Sequence, residues 1–205
     1  MVLRSRSLVL ASSLVTLAGF AAASAAPEGL GKYAFPGSSP RPASARAVEA
    51  YYQPGIDATQ SLAAGVFETP AAFKTVSAFY GPQMDAGRWG WREKTQVLLQ
   101  QVETLKFMRA QVLARPESAA PRLPEVLRAF FGDPDLEPPE FAARLDRLVK
   151  DHPEVTIQVA EGTRTLADGA SRSQLRVTVE RPYLDLEQMK LVDRTRLVLV
   201  LSSAR

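Results

Sequence analysis

Leu197-Val198-Leu199-Val200-Leu201 is apolar at every position, and this run restricts the fold more than any other stretch. A strand with one face in water alternates apolar and polar residues, because successive side chains point to opposite sides. Five apolar residues in succession need cover on both faces, so the run predicts a central strand under helices. Two upstream segments show the half-exposed pattern instead. Val155, Ile157 and Val159 alternate with Thr156, Gln158 and Ala160, and Leu175, Val177 and Val179 alternate with Arg176, Thr178 and Glu180. Their link, residues 161–173, contains Gly162 and Asp168-Gly169 and reads as a hairpin loop longer than a tight turn. Arg181-Pro182-Tyr183-Leu184-Asp185 leaves the sheet, with Asp185 placed to cap a short helical turn through Met189. Residues 61–67 form one earlier strand.

Between the strands the period changes to that of helices. Thr69 suits a helix N-cap and Pro70 the first helical position. Phe73, Val76, Tyr80 and Met84 recur at spacings of three and four, giving one apolar face that Phe79 widens. Pro82 deprives the carbonyl of Ala78 of its bond, so this helix is expected to stop near Tyr80. Residues 93–115 read as a long helix carrying Leu98, Val102, Leu105, Met108 and Val112, ended by Pro116. A short helix follows over 123–131, and another starts near Pro138-Pro139-Glu140 with Phe141, Leu145, Leu148 and Val149 inward. The fold class is therefore α+β: an antiparallel sheet of about four strands, a helix packed on it, and an insertion of about three helices over residues 93–150.

The segment from Thr69 to Trp91 resembles one carried by many small bacterial envelope and periplasmic α+β proteins, mostly of unknown function. Its elements are a strand, Thr69, six variable residues, Val76, Phe79-Tyr80, and a turn ending in Gly90-Trp91. Phe35-Pro36-Gly37-Ser38 is similar to the Y-P-G-[AS] that often precedes it. The resemblance implies a helix packed on an antiparallel sheet.

The N-terminus predicts export. Arg4 and Arg6 precede the uncharged apolar residues 8–20 and the small-residue run 21–26, the order of a secretory signal peptide. Ala23-Ser24-Ala25 fits cleavage after Ala25, which assigns residues 1–25 to the leader, 26–60 to an arm rich in Pro, Gly and Ser, and 61–205 to one α+β domain. In the arm Tyr33 and Phe35 are candidate anchors, and residues 43–52 have the composition of a short helix. Losing Arg4 and Arg6 lowers the formal net charge from +3 to +1, and no basic run remains of the kind nucleic-acid binders use. No transmembrane span is expected in the mature chain. The chain has no cysteine, so disulfides, thiolate metal sites and cysteine nucleophiles are excluded.

Catalytic signals are sparse, and no cofactor, metal or catalytic residue is assigned. His152, the single histidine, falls at a helix end, where a cation suits the dipole. Asp133, Asp135, Glu137 and Glu140 lack the glycine and spacing of a calcium loop. Nucleotide-binding glycine motifs are missing, and no serine has a hydrolase setting. Paired carboxylates such as Glu68 with Asp185 leave room for a hydrolase. Tyr80, Trp89 and Trp91 are the candidate ligand-binding residues, since aromatics offer contact area with a polar handle; Phe79 reads as core. The expectation is a non-enzymatic exported envelope protein that binds a partner protein or a small apolar ligand. The alternatives are a carboxylate-dependent periplasmic hydrolase and a purely structural or interaction module, which would expose an apolar patch on the arm or the helical insert.

Overall fold

A computed structural model describes residues 29–41, 44–46, 48–49, 60–87, 90–114, 136–168 and 171–204. The chain is α+β. Among the described residues, eight strands form one six-stranded and one two-stranded antiparallel sheet. They are β1 (Ser39–Pro40), β2 (Gln60–Thr69), β3 (Arg92–Val97), β4 (Thr156–Asp168), β5 (Ser171–Arg181), β6 (Tyr183–Asp185), β7 (Lys190–Val192) and β8 (Thr195–Ala204). The large sheet runs β1-β2-β8-β5-β4-β3, and β6 pairs with β7. The apolar run therefore sits between β2 and β5, with Leu199 opposite Gly65 on one side and Val177 on the other.

Both faces of that strand are covered, as its sequence requires. On one face Leu197 and Leu199 join Leu175, Val177 and Val179 of β5, Ala160 of β4 and Phe67 of β2. The helix α1 (Phe73–Tyr80) closes this face with Phe73, Val76 and Tyr80, helped by Leu30 from a 3-10 turn, Leu30–Tyr33. On the other face Val200 and Val66 pack with Ala45 and Val48, which belong to helical residues of the arm. Further along it, Ile157 and Val159 of β4 support α2 (Leu98–Ala114) and α3 (Pro138–Asp151) through Leu98, Val102, Phe141 and Leu145. Leu184 and Leu186 of the β6–β7 hairpin complete that cluster.

Several expectations need correction. The sheet is larger than four strands, because residues 93–97 belong to β3 and α2 begins only at Leu98. Edge pairing with β4, Arg92 opposite Glu161 through Val97 opposite Thr156, overrides the helical propensity of Glu93, Lys94 and Gln96. Helix α1 starts at Phe73 with Ala72 as its cap, three residues later than Thr69-Pro70 suggested. The Thr69 hydroxyl instead accepts from the amide of Ala71 at 3.2 Å. Arg181 Nη1 donates to the carbonyls of Pro70 and Ala71 at 3.0 Å each, and Thr195 Oγ1 donates to that of Ala71 at 2.6 Å. With their carbonyls held from the sheet, Pro70 and Ala71 stay a connector. The β4–β5 loop is short: Asp168 pairs with Ser171, leaving two residues between them. Asp185 does cap a turn, accepting from the amides of Glu187 and Gln188 at 3.1 and 3.0 Å, but that turn closes a hairpin.

Other expectations hold. Helix α1 ends at Tyr80 and passes into a 3-10 turn, Gly81–Gln83, containing Pro82. Helix α3 starts at Pro138 and buries Phe141, Leu145 and Leu148. Tyr33 and Phe35 pack against the α1 side of the core. The expected leader and the expected helix at 123–131 lie outside the described residues. Among the described residues no helix is long and apolar enough to cross a membrane.

Candidate functional site

Three distant segments meet in a cleft at the C-terminal end of α1. Lys32 and Tyr33 come from the arm's 3-10 turn, Phe79, Tyr80, Gln83 and Met84 from the end of α1 and the turn after it, and Arg164 and Leu175 from β4 and β5. The cleft encloses about 350 Å³, within the range of small-molecule sites, which combine apolar walls with a few placed polar groups. Tyr80 and Leu175, each 2% exposed, form its floor. Phe79 is 36% exposed. It meets Phe35 edge-on at 5.4 Å and Tyr80 edge-on at 4.9 Å.

The fold prepares this cleft through hydrogen bonds rather than through flexible side chains. Tyr80 Oη donates to the carbonyl of Tyr33 at 2.8 Å, tying α1 to the arm. Burial pushes the Tyr80 phenol well above its ordinary range, against a smaller lowering effect of the Phe35 backbone. The following turn is fixed to β4: Asp85 Oδ2 accepts from the amide and hydroxyl of Thr165 at 2.8 Å each, and the Asp85 amide donates to the carbonyl of Thr163 at 2.8 Å. Two cations stand at the rim. Lys32 Nζ lies 4.9 Å from the centre of the Tyr33 ring, and Arg164 Nη1 donates to Gln83 Oε1 at 3.4 Å.

Of the three aromatic residues that the sequence suggests, Tyr80 lines this cleft and Trp91 serves the frame. Trp91 stacks on Tyr80 with ring centres 6.2 Å apart. Its Nε1 donates to Ser77 Oγ at 2.9 Å, and Ser77 donates in turn to Glu93. Trp91 therefore joins α1 to β3 and spends its polar handle doing so. Gly162 makes room for it, since a Cβ there would stand 3.0 Å from Trp91 Cε3 and 3.1 Å from Met84 Cγ. Trp89 lies outside the described residues. Phe79, read as core, instead stands at the cleft wall, 36% exposed and packed edge-on against Phe35 and Tyr80. Sequence reasoning also missed Lys32, Gln83 and Arg164 as neighbours, and only the anchoring roles of Tyr33 and Phe35 hinted at them.

The carboxylates form a different assembly on the opposite sheet face. Glu68, Arg196 and Glu180 stand opposite one another across β2, β8 and β5. Glu68 meets Arg41 and Arg194 at 3.2 Å each, and Tyr183 Oη donates to it at 3.1 Å. Arg196 pairs with Glu180 and lies beneath the Tyr183 ring at 4.6 Å. Burial, then the Glu68 carboxylate, pushes the Tyr183 phenol up to about 12. Arg41 also comes within 4.0 Å of Asp185, so the suggested pair Glu68 and Asp185 does share a neighbour. Both oxygens of Glu68 already carry donors, and Asp185 holds its turn, which suits a network that fastens the arm to the sheet.

His152 follows α3 as its C-cap and is exposed. The hollow it lines with Arg147, Met189 and Lys190 mixes both charge signs and has no aromatic wall. Glu140 pairs with Arg144 at 2.7 Å, while Asp133 and Asp135 lie outside the described residues. Among the described residues no three His, Cys, Asp or Glu are placed to hold a metal. No protein-family model and no curated protein matches the chain.

Proposed function

We propose that this is an exported envelope protein that acts by binding a small apolar ligand in the cleft beside α1. The observation carrying this reading is an open hollow of about 350 Å³ whose floor and wall are Tyr80, Leu175, Phe79 and Tyr33. Its shape is held by fixed hydrogen bonds at both ends, which lowers the ordering cost of binding. The carboxylate alternative has less behind it, since Glu68 and Asp185 are engaged in structural contacts. Titration with the neutral fluorophore phenylnaphthylamine tests the reading. The wild-type chain should bind it, and Phe79→Asp, at an exposed wall position, should abolish binding without unfolding the chain. Binding that ignores Phe79→Asp, or no binding by the wild type, would refute it.

A second reading rests on the helical insert. Val97, Leu99 and Phe107 are 49%, 51% and 62% exposed, and an apolar patch built from them on one helix and its leading strand would suit a partner protein. Phe107→Ser should then eliminate co-purification of that partner and leave phenylnaphthylamine binding intact.

A further inference from the structure

We infer that the ligand of the α1 cleft is an amphipathic carboxylate, its apolar body against Phe79, Tyr80 and Leu175 and its charged head between Lys32 and Arg164. This rests on the binding role proposed for the cleft. The charged residues lining it are two, Lys32 and Arg164, both positive. Neither meets a carboxylate among the described residues: Lys32 contacts only the Tyr33 ring, and Arg164 only the neutral Oε1 of Gln83 at 3.4 Å. Five other arginines on or beside the sheet are neutralised: Arg41, Arg176, Arg181, Arg194 and Arg196 each meet an acidic side chain. Asp85, the acid next in sequence to the lining residue Met84, is directed to the amide and hydroxyl of Thr165. A cleft with an aromatic floor and an uncompensated positive rim favours a ligand apolar along its body and anionic at one end. Guanidinium recognises a carboxylate by paired donors, and the ammonium adds a second charge. The cleft volume of about 350 Å³ limits the body to a medium acyl chain or a small aryl group. The two sources of such a carboxylate are a free fatty acid and an aromatic acid.

A matched pair of probes separates this inference from the binding role beneath it. Phenylnaphthylamine and anilinonaphthalene sulfonate share an aromatic body and differ in charge. The intact chain should bind the anion roughly two- to fivefold more tightly, the scale of one partly exposed charge interaction, and the preference should shrink as salt is raised. Arg164→Gln and Lys32→Gln should each reduce that preference, the anionic probe losing more affinity than the neutral one. Having two such variants at the rim guards against one of them disturbing the fold, which circular dichroism checks. Competition with dodecanoate and with phenylacetate then distinguishes the sources, and the acid that displaces the anionic probe at lower concentration identifies its class. Equal affinity for both probes in the wild type, an unchanged preference in both variants, or displacement by neither acid overturns the inference while the cleft remains a binding site. Failure of both probes to bind overturns the binding role as well.

Discussion

Replacing Tyr80 by Phe isolates the contact that shapes the cleft. The ring is 2% exposed and keeps its packing against Phe79 and Trp91, so no cavity forms. What is lost is one hydrogen bond, 2.8 Å from Tyr80 Oη to the carbonyl of Tyr33. A neutral hydrogen bond contributes about 1 kcal/mol net, and a carbonyl left without its donor adds to the loss. Tyr33 is half-buried, so water reaches part of that carbonyl, and the expected destabilisation is about 1–2 kcal/mol. Truncation to Ala at the same site should cost about 3–5 kcal/mol, because it also opens a cavity. Urea denaturation reads both values as shifts in midpoint at unchanged slope. Hydrogen exchange should show where the loss falls. The amides of Ala34 and Ser38, bonded to Gly31 and Phe35, should exchange faster, while β5 and β8 remain protected. A Tyr80→Phe variant as stable as wild type, or one whose exchange rises uniformly over the sheet, would refute this account of how the arm is held.

Gly162→Val should displace Trp91 and Met84, cost about 1–3 kcal/mol as an overpacked site, and alter the near-ultraviolet circular dichroism of the indole. Glu68→Gln removes the shared partner of Arg41 and Arg194. Both arginines are partly solvated, so the expected loss is only about 1 kcal/mol, and it should be read as faster proteolytic nicking around Arg41. Tyr183 stays a neutral phenol in the fold, raised from 10.0 to about 12. Its stabilising contribution is therefore complete below pH 10.0 and disappears as the pH rises through about 12. Alkaline denaturation of Tyr183→Phe should begin at higher pH than that of wild type.

The sheet's core was legible because its signal is local. Alternation at Leu175, Val177 and Val179, the unbroken run at 197–201 and the stripe of α3 each reflect burial against one or two fixed faces. Strand β3 was not, since Arg92–Val97 lies on an edge with most of its side chains in water, and such a strand carries no apolar alternation to read. The start of α1 was missed because its position is decided by Arg181 and Thr195, more than a hundred residues away. The Asp168-Gly169 pair is a tight-hairpin signal, but the mostly polar residues around it carry no apolar alternation to mark the strands as far as Asp168 and Ser171. Of the cleft, only Tyr80 was visible in advance. Its other sides come from the arm, β4 and β5, and a sequence does not show which of its surfaces will meet.

Amide chemical-shift mapping during titration with phenylnaphthylamine addresses the cleft directly. The binding account requires shifts concentrated at Lys32 and Tyr33, from Phe79 to Met84, and at Arg164. Shifts concentrated instead around Leu99 and Phe107 of α2, or no saturable shifts at all, would contradict it.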